Sequence, residues 1–437
     1  MRQKAGTLLT DVTQPAAAVA IFAASLVLVL VRPRGLPDWA AALGGGLVMV
    51  ASGLLPVREA LAQLGGAWNV FLFFLGLAVS SAVAEQAGLF RTAAALAART
   101  ARGSQQRLLI GLYLAGVLIT AVLSNDATAL LLTPVAFAAA TRLGIDPRPY
   151  AFACALVANA ASFVLPVSNP ANLLILGRAP LDLGSFLSHL LLPSVLAVVA
   201  TLAGLLVVFR RELAAPFAAP SGTARSLDRR ARTNLVGVAG LTVAYLVGSA
   251  AAWPLGLVAL GGAVGLLALD IWAVGWAGTR WSSAVPWGLF PLFAGLLLLV
   301  GGAERAGAFG PVVRAIDAVQ GLGGVGVPVA VLGLAVVANL VNNLPAALVA
   351  ATALGSMAGG AVRGDLVAAV LIGVDLGPNL TPIGALSTLL WLLLLRRRGV
   401  QVSALAYLRI ALPVTLPALL AAAAGLWLMA HLVGGLP

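Results

Sequence analysis

The sequence predicts an all-α polytopic membrane protein built of two inverted-topology repeats. Each repeat has about five transmembrane crossings, one re-entrant helical hairpin and a broken helix. Three observations predict this. The 437-residue chain is 61% hydrophobic and 9% charged, with a mean hydropathy of +1.05, so lipid must be part of its solvent. Motifs in the first half recur in the second, and the basic residues divide unevenly between the two sides of the membrane.

The crossings come first. Apolar runs of about 16 to 23 residues recur along the chain, each long enough to span a hydrocarbon core of roughly 30 Å. No charged start followed by a small-residue cleavage site is evident, so the first run reads as a retained span. The first half gives crossings at about 16–31, 39–55, 68–86, 148–177 and 186–209, and the second at about 234–250, 255–276, 286–304, 365–395 and 404–430. The hairpins fall at about 106–141 and 324–360, turning at "SND" and "VNNLP".

The repeat is visible by eye. "WNVFLFFLGLAVSSAVAEQAGLF" (68–90) matches "WGLFPLFAGLLLLVGGAERAGAF" (287–309) at ten of 23 positions, among them Trp68/Trp287, Gly76/Gly295, Glu85/Glu304 and Gly88/Gly307. "LPVSNPANLL" (165–174) faces "TPIGALSTLL" (381–390), and "HLLLPSVL" faces "RIALPVTL", pairing Pro193 with Pro413. A slowly drifting offset over the whole length signals duplication. Five crossings per copy is odd, so the second copy must be inverted, as in secondary transporters. The expected division is 1–209, a basic linker 210–233, and 234–437.

Charge sets the orientation. With the N-terminus on one side, that side holds only Arg2, Lys4, Arg58, Arg178, Arg305, Arg314 and Arg363 of the 26 basic residues. The opposite side carries the other 19, including Arg210, Arg211, Arg225, Arg229, Arg230, Arg232 and Arg396–Arg398, and is expected to be cytoplasmic. Both termini are then outside. The net charge of +12 therefore reads as topology rather than as nucleic-acid binding, and the Pro/Ala/Gly/Arg-rich linker reads as a mobile connection with membrane lipid nearby. The single cysteine, Cys154, excludes an intrachain disulfide and any multi-thiolate site.

Polar residues away from the membrane edges gather in four stretches: "LSNDAT" (123–128), "VANAASFVLPVSNPAN" (157–172), "ANLVNNLP" (338–345) and "GVDLGPNLTPIGALST" (373–388). Pro166 and Pro170 break one helix, and Gly377, Pro378, Pro382 and Gly384 break the other. Such breaks are tolerated only where they are buried in protein or line a wet cavity. In the repeat, Asp126 corresponds to Asn343 and Asn159 to Asp375, so each copy has one Asp and one Asn in exchanged places. The expectation is a pocket holding both carboxylates in an amide-rich shell. A charged Asp at the bilayer centre costs roughly 2.5–3.5 kcal/mol, so function is its default reading, and proton transfer is the chemistry a buried carboxyl offers.

Other groups read as structural. Glu85 and Glu304 end equivalent spans, Asp270 is expected at the interface, and Cys154 as a packed small residue. His189 and His431 have no companion ligands, so no metal or other cofactor is expected. Trp39, Trp68, Trp253, Trp281 and Trp287 are placed as an interfacial aromatic belt.

"LSNDATALLLTPV", "NLVNNLPAAL" and above all "GVDLGPNLTPIGALSTLLWL" resemble the ArsB-family arsenite efflux permeases of the ion transporter superfamily, over nearly the full chain. The resemblance implies a multi-pass protein of a prokaryotic plasma (inner) membrane that confers arsenical resistance. It would expel arsenite or antimonite, as the neutral trihydroxide, in exchange for protons. Some members couple to a soluble ATPase subunit. A trihydroxide donates and accepts through three O–H groups, which suits amides and hydroxyls. Ser124, Asn125, Asn159, Ser168, Asn169, Asn172, Asn339, Asn342, Asn343, Asn379 and Thr381 supply them, with Asp126 and Asp375 carrying the coupled proton.

The alternative is a sodium/proton antiporter of the same superfamily, since Asp126, Asp375 and broken-helix carbonyls could ligate Na⁺. Dicarboxylate carriers of that superfamily resemble this layout but carry Ser-Asn-Thr at both hairpin-level sites, where this chain has Ser-Asn-Asp and Val-Asn-Asn. An added carboxylate disfavours a dianion. Intramembrane aspartyl proteases use G-x-G-D, whereas "IGV" precedes Asp375 here; HExxH and GxSxG are missing too, so no enzyme is expected.

Overall fold

A computed structural model describes residues 2–218, 228–279, 281–357 and 362–434; Arg225 and the rest of linker segment 219–227 lie outside them. Among the described residues the regular structure is helical, with one isolated β-bridge between Ser104 and Pro216. Among the described residues, eight helices are long and apolar enough to cross a bilayer, or nine if Leu289–Arg305 and Gly310–Gly321, bent by 83°, form one span. Helices dominate because lipid offers the backbone no hydrogen bonds, so each segment must satisfy its own.

The order of elements in the first half recurs in the second. Arg2–Val31, Asp38–Ala51, Trp68–Gln86 and Leu89–Thr100 precede the first hairpin. Arg229–Ala250, Leu255–Val274, Leu289–Arg305 and Gly310–Gly321 precede the second. After each hairpin comes an interrupted helix, Arg148–Ala160 with Pro170–Arg178 or Gly364–Leu376 with Leu386–Arg397, and then a long closing helix, Leu183–Val208 or Ala404–Gly434.

The halves are interlocked rather than side by side. The two closing helices pack along each other, Asp38–Ala51 packs on Leu289–Arg305, and Leu255–Val274 packs on Trp68–Gln86. Two equivalent glycines allow the last two crossings. A Cβ on Gly295 would stand 2.3 Å from the Ala42 carbonyl carbon, and one on Gly76 would stand 2.4 Å from that of Ala259. Only a hydrogen fits at either place, and close backbone approach at small residues is how helices associate in lipid.

Several expectations change. The crossing expected at 39–55 is a helix of only 14 residues, Asp38–Ala51, about 21 Å long at 1.5 Å per residue. Short helices at Val57–Gly66, Leu89–Thr100 and Gly310–Gly321 were not anticipated; their mixed charged and apolar composition hid them between longer apolar runs.

The described flanks of the linker are tied down rather than mobile. Phe217 N donates to Gly103 O at 2.9 Å and Gln105 Nε2 to Ala215 O at 2.9 Å, with Leu213 and Phe217 buried. Asp270, near the end of Leu255–Val274, is fully buried. Arg230 donates to both its oxygens at 2.8 and 2.7 Å, and Asn234 and Thr279 add bonds of 2.9 and 3.1 Å. Arg229, one residue earlier, stacks over Trp272 at 4.1 Å.

Other side chains sit as expected. Trp39, Trp68, Trp253 and Trp287 are exposed near helix ends, while Cys154 is buried. Glu85 and Glu304 stand at the ends of Trp68–Gln86 and Leu289–Arg305. His189 and His431 bond carbonyls one turn back, those of Ser185 and Trp427.

Candidate functional site

Two hairpin tips and two helix breaks meet inside the molecule. In the first hairpin the helix Gln105–Val122 ends, and Ser124 in extended backbone starts the return arm. Ser124 Oγ accepts from Ala127 N at 3.1 Å and Asn125 Oδ1 from Asp126 N at 2.9 Å, so both cap donors that the new helix leaves free. The arm continues through a π-helical turn, Thr128–Leu132, while Thr128 and Thr120 hydroxyls pair across the hairpin at 2.7 Å. Single π turns inside α-helices are often found at functional sites.

The second tip is built differently. Asn342 adopts a left-handed backbone, φ 78°, between Gly326–Val341 and Asn343–Ser356. That conformation is costly for a side chain, and three contacts hold it. Asn342 Nδ2 donates to Ile383 O at 3.3 Å, Leu344 N to Asn342 Oδ1 at 3.4 Å, and Asn343 N to Gly384 O at 2.9 Å. Gly384 is confined to glycine by space, because a Cβ there would lie 2.4 Å from Pro378 O.

At the first break, Ser168 Oγ accepts from Leu165 N at 3.1 Å and donates to Ala121 O at 3.2 Å. Asn169 Oδ1 accepts from Ala171 N at 3.0 Å, capping the helix that starts at Pro170. Asn172 Nδ2 donates to Ser162 O at 2.8 Å. At the second break, Asn339 Nδ2 donates to Gly377 O at 2.7 Å and Thr381 Oγ1 to Asn339 Oδ1 at 2.7 Å.

Side-chain amides then cross between the halves. Asn125 donates to Asn159 at 3.4 Å, Asn159 to Asn379 at 3.0 Å, and Asn379 to Leu156 O at 2.8 Å. Separately, Asn169 Nδ2 donates to Asp375 Oδ1 at 2.7 Å.

A cavity of about 60 Å³ opens against this framework, room for roughly four waters. Its polar wall is Asn125, Asp126, Asn169, Asn342, Asn343 and Ser387, and its apolar wall includes Phe74, Leu289, Leu292 and Leu296. Arg32 and Asp38, ion-paired at 2.8 Å, also border it. Among the described residues nothing hydrogen-bonds or ion-pairs with the carboxyl of half-buried Asp126.

Of the thirteen residues singled out from sequence, Asn125, Asp126, Asn169, Asn342 and Asn343 thus line the cavity. Ser124, Asn159, Ser168, Asn172, Asn339, Asn379 and Thr381 form the framework behind it. Of the two carboxylates expected in the pocket, Asp126 lines it and Asp375 does not, because Asp375 lies within the helix Gly364–Leu376, fully buried and separated from the cavity by Asn169. Sequence reasoning missed Ser387, although it stands inside the polar stretch 373–388. It also missed the Arg32–Asp38 pair, which the spacing of the loop between the first two helices could have suggested.

A family model described as citrate transporter (CitMHS) matches residues 26–374. An arsenical pump membrane protein of Escherichia coli is 30% identical over 420 residues, covering 93% of this chain and 97% of that protein. The one from strain K12 is 31% identical over 423 residues with the same coverage.

Among solved structures, the YdaH transporter of Alcanivorax borkumensis superposes with a TM-score of 0.57 at 19% identity, covering 85% of this chain and 87% of that one. MtrF of Neisseria gonorrhoeae gives 0.55 at 16% identity and 94% coverage of both. These two share the fold. The relatives are membrane transporters, and on the extent of the match this chain belongs to the ArsB family of arsenical pump membrane proteins.

Proposed function

We propose that the protein exports arsenite or antimonite, as the neutral trihydroxide, in exchange for protons, through two inverted repeats spanning 1–209 and 234–437. The observation that carries this reading is the small cavity with one amide-bearing wall, one apolar wall and one unpaired carboxylate, Asp126. A trihydroxide has four heavy atoms, which matches the space of roughly four waters. Ionised Asp126 accepts its O–H groups, and the surrounding amides complete the set. Protonating Asp126 removes that acceptor, so proton and substrate compete for one group, and competition at a single site is sufficient for exchange.

A citrate-like polyanion suits this cavity less well. It would meet Asp126 while Arg32, the cation among the lining residues, is already paired with Asp38. The Arg32–Asp38 border follows the first span, on the side that the charge distribution makes cytoplasmic.

The test is proton flux in liposomes holding this protein alone, with arsenite on one side, a pH-sensitive dye inside, and sodium present or absent. Arsenite-driven proton movement without sodium, lost in Asp126→Asn, supports the reading. Proton movement driven by sodium and indifferent to arsenite overturns it in favour of a cation antiporter.

A further inference from the structure

Asp375 presents an incomplete hydrogen-bond account. Its Oδ1 accepts from Asn169, but its Oδ2 is buried with no partner, and so is the Oδ1 of Asn172. The two side chains belong to one cluster, since Asn172 and Ser162 flank the Asp375 carboxyl. Both amides have fixed orientations. Asn172 must turn its nitrogen to Ser162 O and Leu165 O, and Asn169 must turn its oxygen to Ala171 N. Flipping either would set donor against donor or acceptor against acceptor. Asn172 therefore offers an acceptor, not a donor, to the cluster.

Two unpartnered acceptors buried in one cluster are satisfied by one hydrogen. No charged group supplies it. The charged side chains on helices packed against Gly364–Leu376, such as Arg148, Arg178 and Arg409, lie near helix ends, and among the described residues none bonds Asp375. Nearby Tyr407 donates elsewhere, to Asn379 O, and Ser162 Oγ donates to Asn159 O.

We propose that Asp375 and Asn172 form a proton-holding site outside the cavity, with Oδ2–H of Asp375 donating to Oδ1 of Asn172. Asn169 is its link to the cavity, because the same amide lines that space and donates to Asp375. The bond ties the broken helix of the first half to the first arm of the broken helix of the second, so its proton leaves only when one of the breaks moves. Asp126 exchanges with the cavity freely. The role of this difference in transport rests on the antiport reading; the protonation itself does not. Asn172 is here a positioning residue for the proton rather than a contact of the transported molecule.

Infrared spectra of the full chain in sodium-free lipid nanodiscs, at neutral pH and without arsenite, test this. The expected result is a protonated-carboxyl C=O band that Asp375→Asn abolishes and Asp126→Asn retains. Asn172→Leu should move it to higher frequency, because the acceptor is gone. Asp375→Asn presents a donor to Asn172 and an acceptor to Asn169, so it should fold with the thermal stability of the parent. A spectrum unchanged by Asp375→Asn, or by Asn172→Leu, overturns the assignment. A band that vanishes on adding sodium overturns it as well, marking a cation site. Failure of arsenite to drive proton flux would instead defeat the antiport reading and leave these spectra untouched.

Discussion

The two hairpin tips occupy equivalent places in the chain and meet at the same cavity, yet they are built on different principles. The first, Ser124–Asp126, relaxes its backbone with side-chain caps and a π-helical turn, and leaves a carboxyl unpaired toward the cavity. The second keeps regular helices and concentrates its strain in one residue, Asn342, clamped to the second break through Ile383 O and Gly384 O. One tip presents a carboxyl to the cavity; the other fixes the geometry around it. Two halves with the same order of elements can thus divide their labour, one presenting a polar group and the other supplying rigidity.

The sharpest way to break this comparison is to move the charge. Asp126→Asn is expected to reduce arsenite-driven proton flux to background in liposomes. The exchanged pair Asp126→Asn with Asn343→Asp should not restore it, because Asn343 sits on the clamped tip. Restored flux would show that the tips are interchangeable.

Next in size, Gly384→Val forces a branched side chain against Pro378 O and Asn339 Oδ1. Overpacking of this kind costs about 1–3 kcal/mol or more, read as a lower melting temperature and less monodisperse protein. Its repeat counterpart Ser168 already has a side chain, so the clamp belongs to the second half alone.

At Asn342, glycine and alanine should part company. Asn342→Gly loses two hydrogen bonds but relieves the left-handed strain, for a net change near zero. Asn342→Ala loses both bonds and keeps the strain, costing about 1–2 kcal/mol in thermal unfolding. The smallest effect is expected at the first hairpin, where Thr120→Val removes the bond to Thr128. One such bond is worth about 1 kcal/mol, and transport should survive.

Much of this was legible in the sequence because lipid leaves few options. Apolar length gives spans, and prolines and glycines in apolar runs give breaks. The exchange of Asp and Asn between copies pointed to Asp126. What escaped was position along a helix axis. Asp375 and Asp126 look alike in sequence, each an aspartate in an apolar run with an asparagine within four residues, and only packing decides that one faces the cavity and the other hides behind Asn169. Asp270 escaped for a similar reason: its partner Arg230 lies 40 positions away, beyond any local pattern. The short helix Leu89–Thr100, with Arg91 and Arg99 among its alanines, had too little apolar length to register.

The glycine crossings have an ancestral consequence. Gly76 receives a helix of the second half and Gly295 a helix of the first, so each half's crossing surface is completed only by the other. A half-length progenitor bearing one such surface could have covered it only with another copy of itself. Gene duplication would then have joined two molecules that already depended on each other. If so, the halves expressed as two polypeptides in one membrane should find each other and reassemble, while either one alone should be degraded.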